Sequence, residues 1–169
     1  MPKHLRNYIP QLAQQTILVI GDVILDEYVI GQATRMSREA PVPVLEFESR
    51  RFIAGGAANP AANITKLGSY ARQVGVIGRD LAGEQLVQVL ADDGIDTTGL
   101  ILCDDDRPTT VKTRIMAQMG LRFPQQVARI DTLSRAPIPL HIEDQLMEYV
   151  RAVSGVDAML LSHYHGGLL

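Results

Sequence analysis

Asp22 and Asp26 are the first residues of the chain whose type and placement can do chemistry. Asp22 follows Thr16-Ile17-Leu18-Val19-Ile20-Gly21, a β-branched and aliphatic run that reads as a strand. Ligands of open α/β sheets collect at such strand ends. A carboxylate there accepts hydrogen bonds from ligand hydroxyls, although an aspartate in that place also serves as a turn residue. Asp26 joins the same end if the sheet is parallel. Further on, Ala54-Gly55-Gly56-Ala57-Ala58-Asn59-Pro60-Ala61-Ala62-Asn63 puts two glycines before a small-residue helix. Lacking Cβ atoms, Gly55 and Gly56 let backbone pass close to a ligand. The helix start behind them offers unpaired N–H groups and the positive end of a dipole, which suits a hydroxyl-rich or phosphorylated ligand. A tight turn with close helix packing would use the same residues, and Asn59 is either a ligand contact or the helix N-cap. Four cations, Arg35, Lys112, Arg114 and Arg129, lie in or beside strand-like inserts. They are either solvated strand faces or a basic lid over an anionic substrate.

Other chemistries fall away. No Gly-x-x-x-x-Gly-Lys-Ser/Thr loop is present, no Gly-x-Gly-x-x-Gly follows the first strand, and no Gly-x-Ser-x-Gly elbow occurs. His163 and His165 alternate near a strand end without a cysteine or a matching carboxylate set, so they read as loop residues and no metal site is expected. Asp104-Asp105-Asp106 reads as a solvated turn, since three consecutive carboxylates cannot all face one ion unaided. A net charge of −3 and an aromatic content of 5 % argue against a nucleic-acid partner. No apolar run reaches the roughly 18 residues that span a bilayer, and the basic start lacks a signal-like apolar segment. With the single cysteine, Cys103, this fits a reducing cytoplasm.

The elements that would position these residues alternate. Strands are expected at Thr16–Ile20, whose continuous apolarity implies burial on both faces, at Ala71–Ile77, at Leu100–Cys103, also read as buried, and at Val156–Leu161. Helices are expected at Ala57–Leu67, from an Asp80 cap to about Asp93, and from about Leu140 to Val153. Gly94 should end the second of these, with Ile95 folding back on Leu90. Leu5–Gln15 reads as an amphipathic lead-in, helical in part. This alternation argues for an α/β fold with a mainly parallel sheet. Strands with mixed patterning, Asp26–Gly31, Val42–Ile53, Thr109–Gln118 and Val127–Asp131, read as half-exposed and antiparallel. They fall in two inserts, 26–53 and 109–131, expected to make a second, smaller sheet.

Gly55-Gly56-Ala57-Ala58-Asn59-x-Ala61, with Gly68 and Gly78 beyond it, resembles the N-terminal signature of the ribokinase-like (PfkB) sugar kinases. Three stretches, 21–28, 35–44 and 107–114, resemble the heptose 7-phosphate kinase branch more narrowly. The resemblance runs from about Thr16 to Leu169 and implies a three-layer α/β sandwich with a small β lid. It also implies homodimer formation through that lid. Residues 1–169 would be the N-terminal, sugar-binding part of one such domain. The full enzyme would use ATP and Mg²⁺ to phosphorylate the anomeric hydroxyl of a heptose 7-phosphate. Asp22 matches the sugar-binding aspartate, with Asp26 beside it. Gly55, Gly56 and Asn59 match contacts to sugar hydroxyls, and Lys112, Arg114 and Arg129 would face the substrate's own phosphate.

The chain departs from the family pattern in three places. Pro60 stands where the branch has an apolar residue, which a helix start tolerates. Ser162-His163-Tyr164-His165-Gly166-Gly167 lacks the acid and the lysine of the branch's Ser-Asp-Tyr-Gly-Lys-Gly. The family's catalytic Gly-Ala-Gly-Asp motif is absent, so no catalytic base and no nucleotide site is assigned within these residues. The alternative is a non-catalytic sugar-phosphate-binding or dimerisation module.

Overall fold

A computed structural model describes residues 3–120 and 123–168. After 3₁₀ turns at Lys3–Leu12, four strands form a wholly parallel sheet: β1 (Thr16–Gly21), β4 (Tyr70–Gly78), β5 (Asp96–Cys103) and β8 (Ala158–Ser162), in the order β5-β4-β1-β8. Side chains of a strand alternate between faces, and neighbours in β1 accordingly serve different cores. Val19 packs with Ala57, Ala58, Ala61 and Ala62 of the first helical segment and with Leu86 and Leu90 of the second. Leu18 turns the other way, towards Val74, Cys103, Ile142 and Leu146. The helices are α1 (Ala58–Lys66), α2 (Leu81–Asp92) and α3 (Leu140–Ala152). Helix, sheet and helix make three layers, and the small side chains of α1 let it lie close on β1.

Local signals place the helix ends. Asp80 caps α2 by accepting from the Gly83 N–H at 2.8 Å. Gly94, at φ +72°, ends it, and the Ile95 N–H reaches the Leu90 carbonyl at 3.0 Å. In α1 the cap position falls to Ala57 without a side-chain hydrogen bond, so Asn59 is not the cap but lies in the first turn. Pro60 is the third helical residue, where its missing N–H costs no internal bond.

The remaining strands are β2 (Val23–Met36), β3 (Pro43–Gly56), β6 (Val111–Gln118) and β7 (Gln125–Thr132). They form a second sheet in the order β3-β2-β6-β7. Its outer pairs are antiparallel, as the patterning predicts, but the central β2–β6 pair is parallel. The reason is the route. Between β3 and β6 the chain passes through α1, β4, α2 and β5, and so re-enters beside β2 in the same direction. Strand β2 also begins at Val23, earlier than its patterning indicates, which leaves Asp22 as the lone residue between the two sheets.

Candidate substrate site at the junction of the two sheets

Asp22 is almost fully buried, and its Oδ2 accepts from the Tyr164 N–H at 2.7 Å and the Gly166 N–H at 3.1 Å. The Asp22 carbonyl takes the Ala57 N–H at 2.9 Å. Gly56, at φ +57°, lies so close to that carbonyl that a Cβ would collide with it. Asp22 therefore ties three segments together: the end of β1, the glycine stretch and the turn after β8. Both backbone donors reach Oδ2, and no hydrogen bond among the described residues ends on Oδ1. His163 Nδ1 stands 3.7 Å from the same Oδ2, and His163 Nε2 meets His165 Nδ1 at 2.9 Å.

Asp26 is the carboxylate that faces the second sheet's cations. Its Oδ1 receives Arg114 Nη1 at 2.7 Å, and each side chain of the pair is 19 % exposed. Gly55 is needed for this placement: a Cβ there would sit 2.7 Å from Asp26 Oδ2. Burial disfavours the Arg114 charge, but the hydrogen bond and charge of Asp26 outweigh it and raise the guanidinium's pKa above its ordinary value. The guanidinium also lies 5.1 Å from the Tyr28 ring centroid.

Strand register explains the grouping. Asp26, Lys112 and Asp131 are aligned across β2, β6 and β7, and Tyr28, Arg114 and Arg129 form the next same-face row. Arg129 makes a two-pronged pair with Asp131, both contacts at 2.8 Å. The Lys112 ammonium lies 5.6 Å from the Tyr164 ring centroid, so the row faces the turn that Asp22 anchors. Gly55, Asp26, Lys112, Arg114 and Arg129 thus share one region, with Asp22 and Gly56 beneath it. Asn59 is exposed. Arg35 is not brought in: it lies nine residues up β2 from Asp26, about 30 Å at strand rise, beside Ser37 and Arg38. Asp104 pairs with Arg79 at the surface. Among the described residues no group of three or more His, Cys, Asp or Glu is placed to hold a metal.

Sequence reasoning missed Tyr28, Asp131 and Tyr164. The first two were findable, because they lie two residues from Asp26 and Arg129 and strands repeat with period two. Tyr164 was not, since its role depends on a contact with a residue 142 positions away.

A parallel sheet layered by helices, with a second, smaller sheet rising from its strand ends, is the ribokinase-like arrangement. Solved structures share the fold. The chain superposes on a carbohydrate kinase from Agrobacterium tumefaciens with a TM-score of 0.62 at 24 % identity, covering 88 % of this chain and 45 % of that one. It superposes on phosphofructokinase-2 from Escherichia coli with a TM-score of 0.58 at 19 % identity, covering 89 % and 44 %.

Residues 14–123 match the pfkB family of carbohydrate kinases, and the chain belongs to that family. Among curated relatives, it is 42 % identical over 154 residues to the bifunctional protein HldE of Helicobacter pylori strain J99, covering 90 % of this chain and 32 % of that protein. It is 38 % identical over 162 residues to HldE of Rhodopseudomonas palustris strain BisB18, covering 95 % and 32 %. The chain thus spans about a third of the length of the curated relatives it matches.

Proposed function

We propose that this chain is the sugar-binding part of a cytoplasmic, ATP-dependent carbohydrate kinase whose acceptor is a sugar phosphate. The acceptor class is heptose 7-phosphate, phosphorylated at its anomeric hydroxyl. The observation that carries the reading is the joint presentation of the Asp26 carboxylate and the cations Lys112, Arg114 and Arg129 at the junction of the two sheets. A sugar phosphate has hydroxyl donors at one end and a dianion at the other, and this arrangement matches both. The resemblance of 21–28, 35–44 and 107–114 to the heptose 7-phosphate kinase branch supports the acceptor class.

In this reading Asp26 accepts a hydrogen bond from a sugar hydroxyl, while the open backbone at Gly55 and Gly56 and the side chain of Asn59 contact others. Asp22 accepts from a sugar hydroxyl through Oδ1 while its Oδ2 holds the floor in place. Magnitudes rank the cations. The exposed Arg129–Asp131 pair is worth at most about 1 kcal/mol, so a phosphate recruits Arg129 cheaply. The less exposed Arg114–Asp26 pair is a charge-assisted bond worth about 1.5–3 kcal/mol, so Arg114 stays aligned by Asp26 and presents its remaining N–H donors. The nucleotide supplies the transferred phosphoryl group. The donor set here offers it neither a phosphate loop nor a metal cage among the described residues, so no step through it is assigned to this chain. Pairing of two copies through the second sheet belongs to the same proposal.

A second reading, a non-catalytic sugar-phosphate-binding or dimerisation module, draws on the same residues, which this proposal assigns to binding and positioning. An assay coupling ADP release to a panel of sugar phosphates, run on the full-length gene product, separates the two. The kinase reading expects turnover with a heptose 7-phosphate, and binding of that sugar phosphate without turnover favours the module.

A further inference from the structure

The Gly78 and Asp80 region lies outside the site, yet it is wired to the strand that carries two of the site's cations. Asp80 Oδ2 accepts the Thr109 N–H at 2.9 Å, and Asp80 Oδ1 accepts the Thr109 hydroxyl at 2.6 Å. The same Oδ1 takes the Gly83 N–H that begins α2. Thr109 Oγ1 in turn accepts the Gly78 N–H at 2.9 Å, at the end of β4. Thr109 is 1 % exposed. One carboxylate and one hydroxyl therefore join the end of a core strand, the start of a helix and the segment leading into β6. Both glycines are required by proximity: a Cβ on Gly78 would collide with the Arg107 carbonyl, and one on Gly83 would stand 2.6 Å from the Gly78 carbonyl.

The surroundings give these bonds their weight. Between the underside of the second sheet and the start of α2 lies an open groove of about 410 Å³, lined by Leu25, Glu27, Phe52, Leu81, Val111 and Thr113 among others. Leu81 is 82 % exposed beside it. At the base of β6 Val111 packs against the core, and the Leu25 N–H of β2 reaches the Thr110 carbonyl at 2.9 Å. The bonds of Asp80 and Thr109 add a tie from this strand end to β4 and α2, and Lys112 and Arg114 follow Thr109 by three and five residues.

We propose that Asp80 and Thr109 are positioning residues: they clamp the segment that enters β6 and, together with the β2–β6 ladder, hold steady the strand end from which Lys112 and Arg114 project. This rests on the reading of those cations as phosphate-binding. The clamp would act on substrate affinity without touching the substrate.

The test uses the chain itself with Thr109→Val, which removes the hydroxyl at nearly constant shape, and Thr109→Ser, which restores it. Two readouts are taken: affinity for sedoheptulose 7-phosphate as a sugar-phosphate probe, and backbone hydrogen exchange along the chain. Losing the buried hydroxyl should weaken binding about tenfold. It should also speed exchange at Val111–Arg114 more than in β1 or β4, and Thr109→Ser should restore both to within about twofold of wild type. Unchanged affinity with unchanged exchange at Val111–Arg114 overturns the clamp, as does a loss of protection spread evenly over the chain. If Thr109→Val does not fold, Asp80→Asn decides by the same two criteria, since its single amide oxygen cannot accept on both sides as the two carboxylate oxygens do. A wild-type chain that fails to bind the probe counts against the phosphate reading, and the exchange readout then judges the clamp alone.

Discussion

Two aspartates that look equivalent in sequence, Asp22 and Asp26, have different partners in the fold. Asp22 holds the backbone of Tyr164 and Gly166 through Oδ2, whereas Asp26 is turned to the cations. Asp22→Ala should accordingly act on stability, because it orphans two N–H donors at about 1–3 kcal/mol each when they stay buried. Chemical denaturation should show a loss of that size. Asp26→Ala should cost less stability but leave Arg114 without its partner and abolish detectable sugar-phosphate binding. Gly55→Ala tests the same geometry from the other side. Its Cβ would meet the Asp26 carboxylate at 2.7 Å, so the carboxylate must swing away from Arg114. Binding should fall at least about tenfold, the equivalent of one hydrogen bond to a charged group, with only a modest change in melting temperature. A Gly55→Ala protein that binds normally would show that Asp26 need not stand where it does.

Among the elements, α2 and β6 are coupled through Asp80, and the coupling has a pH signature. Burial raises the Asp80 carboxyl pKa, but the hydrogen bonds from the Thr109 side chain and backbone and from the Gly83 N–H outweigh it, and the net pKa lies below the ordinary value. A carboxyl depressed in the folded state stabilises fully above its unfolded pKa, about 4. The contribution is lost as pH falls through the lower folded value. Unfolding measured between pH 7 and pH 3 should therefore show an acid-side decline that is shallower in Asp80→Asn, and parallel curves would contradict the assignment. Much at this scale was legible in the sequence. The Asp80 cap, the Gly94 stop and the buried run of β1 are local signals of composition and period, and each stands where it reads. The parallel β2–β6 pairing was not legible, because it is set by the route of the chain through α1, β4, α2 and β5. The tie between Asp22 and Tyr164 was hidden for the same reason: both ends look like ordinary loop residues until the sheet is assembled.

For the whole molecule, the outer edge of β8 presents exposed apolar side chains. Met159 is 59 % and Leu161 68 % exposed, and open apolar grooves of about 580 and 360 Å³ flank the strand on the α3 side and the α1 side. A strand whose outer edge has no partner strand, with apolar side chains on both faces, is a template for association. The 169-residue chain alone should form species larger than a dimer as concentration rises, and Leu161→Lys should reduce them in sedimentation velocity. A monodisperse wild-type chain would argue that this edge is less adhesive than its composition implies. The measurement that bears most directly on the central claim is a calorimetric titration of this chain, without nucleotide, against D-glycero-D-manno-heptose 7-phosphate. It is repeated with the unphosphorylated heptose and with Arg114→Ala. The account predicts saturable binding of the phosphate, weakened at least about tenfold both by loss of the phosphate and by loss of Arg114. Equal affinity for the two sugars, or wild-type affinity in Arg114→Ala, would contradict it.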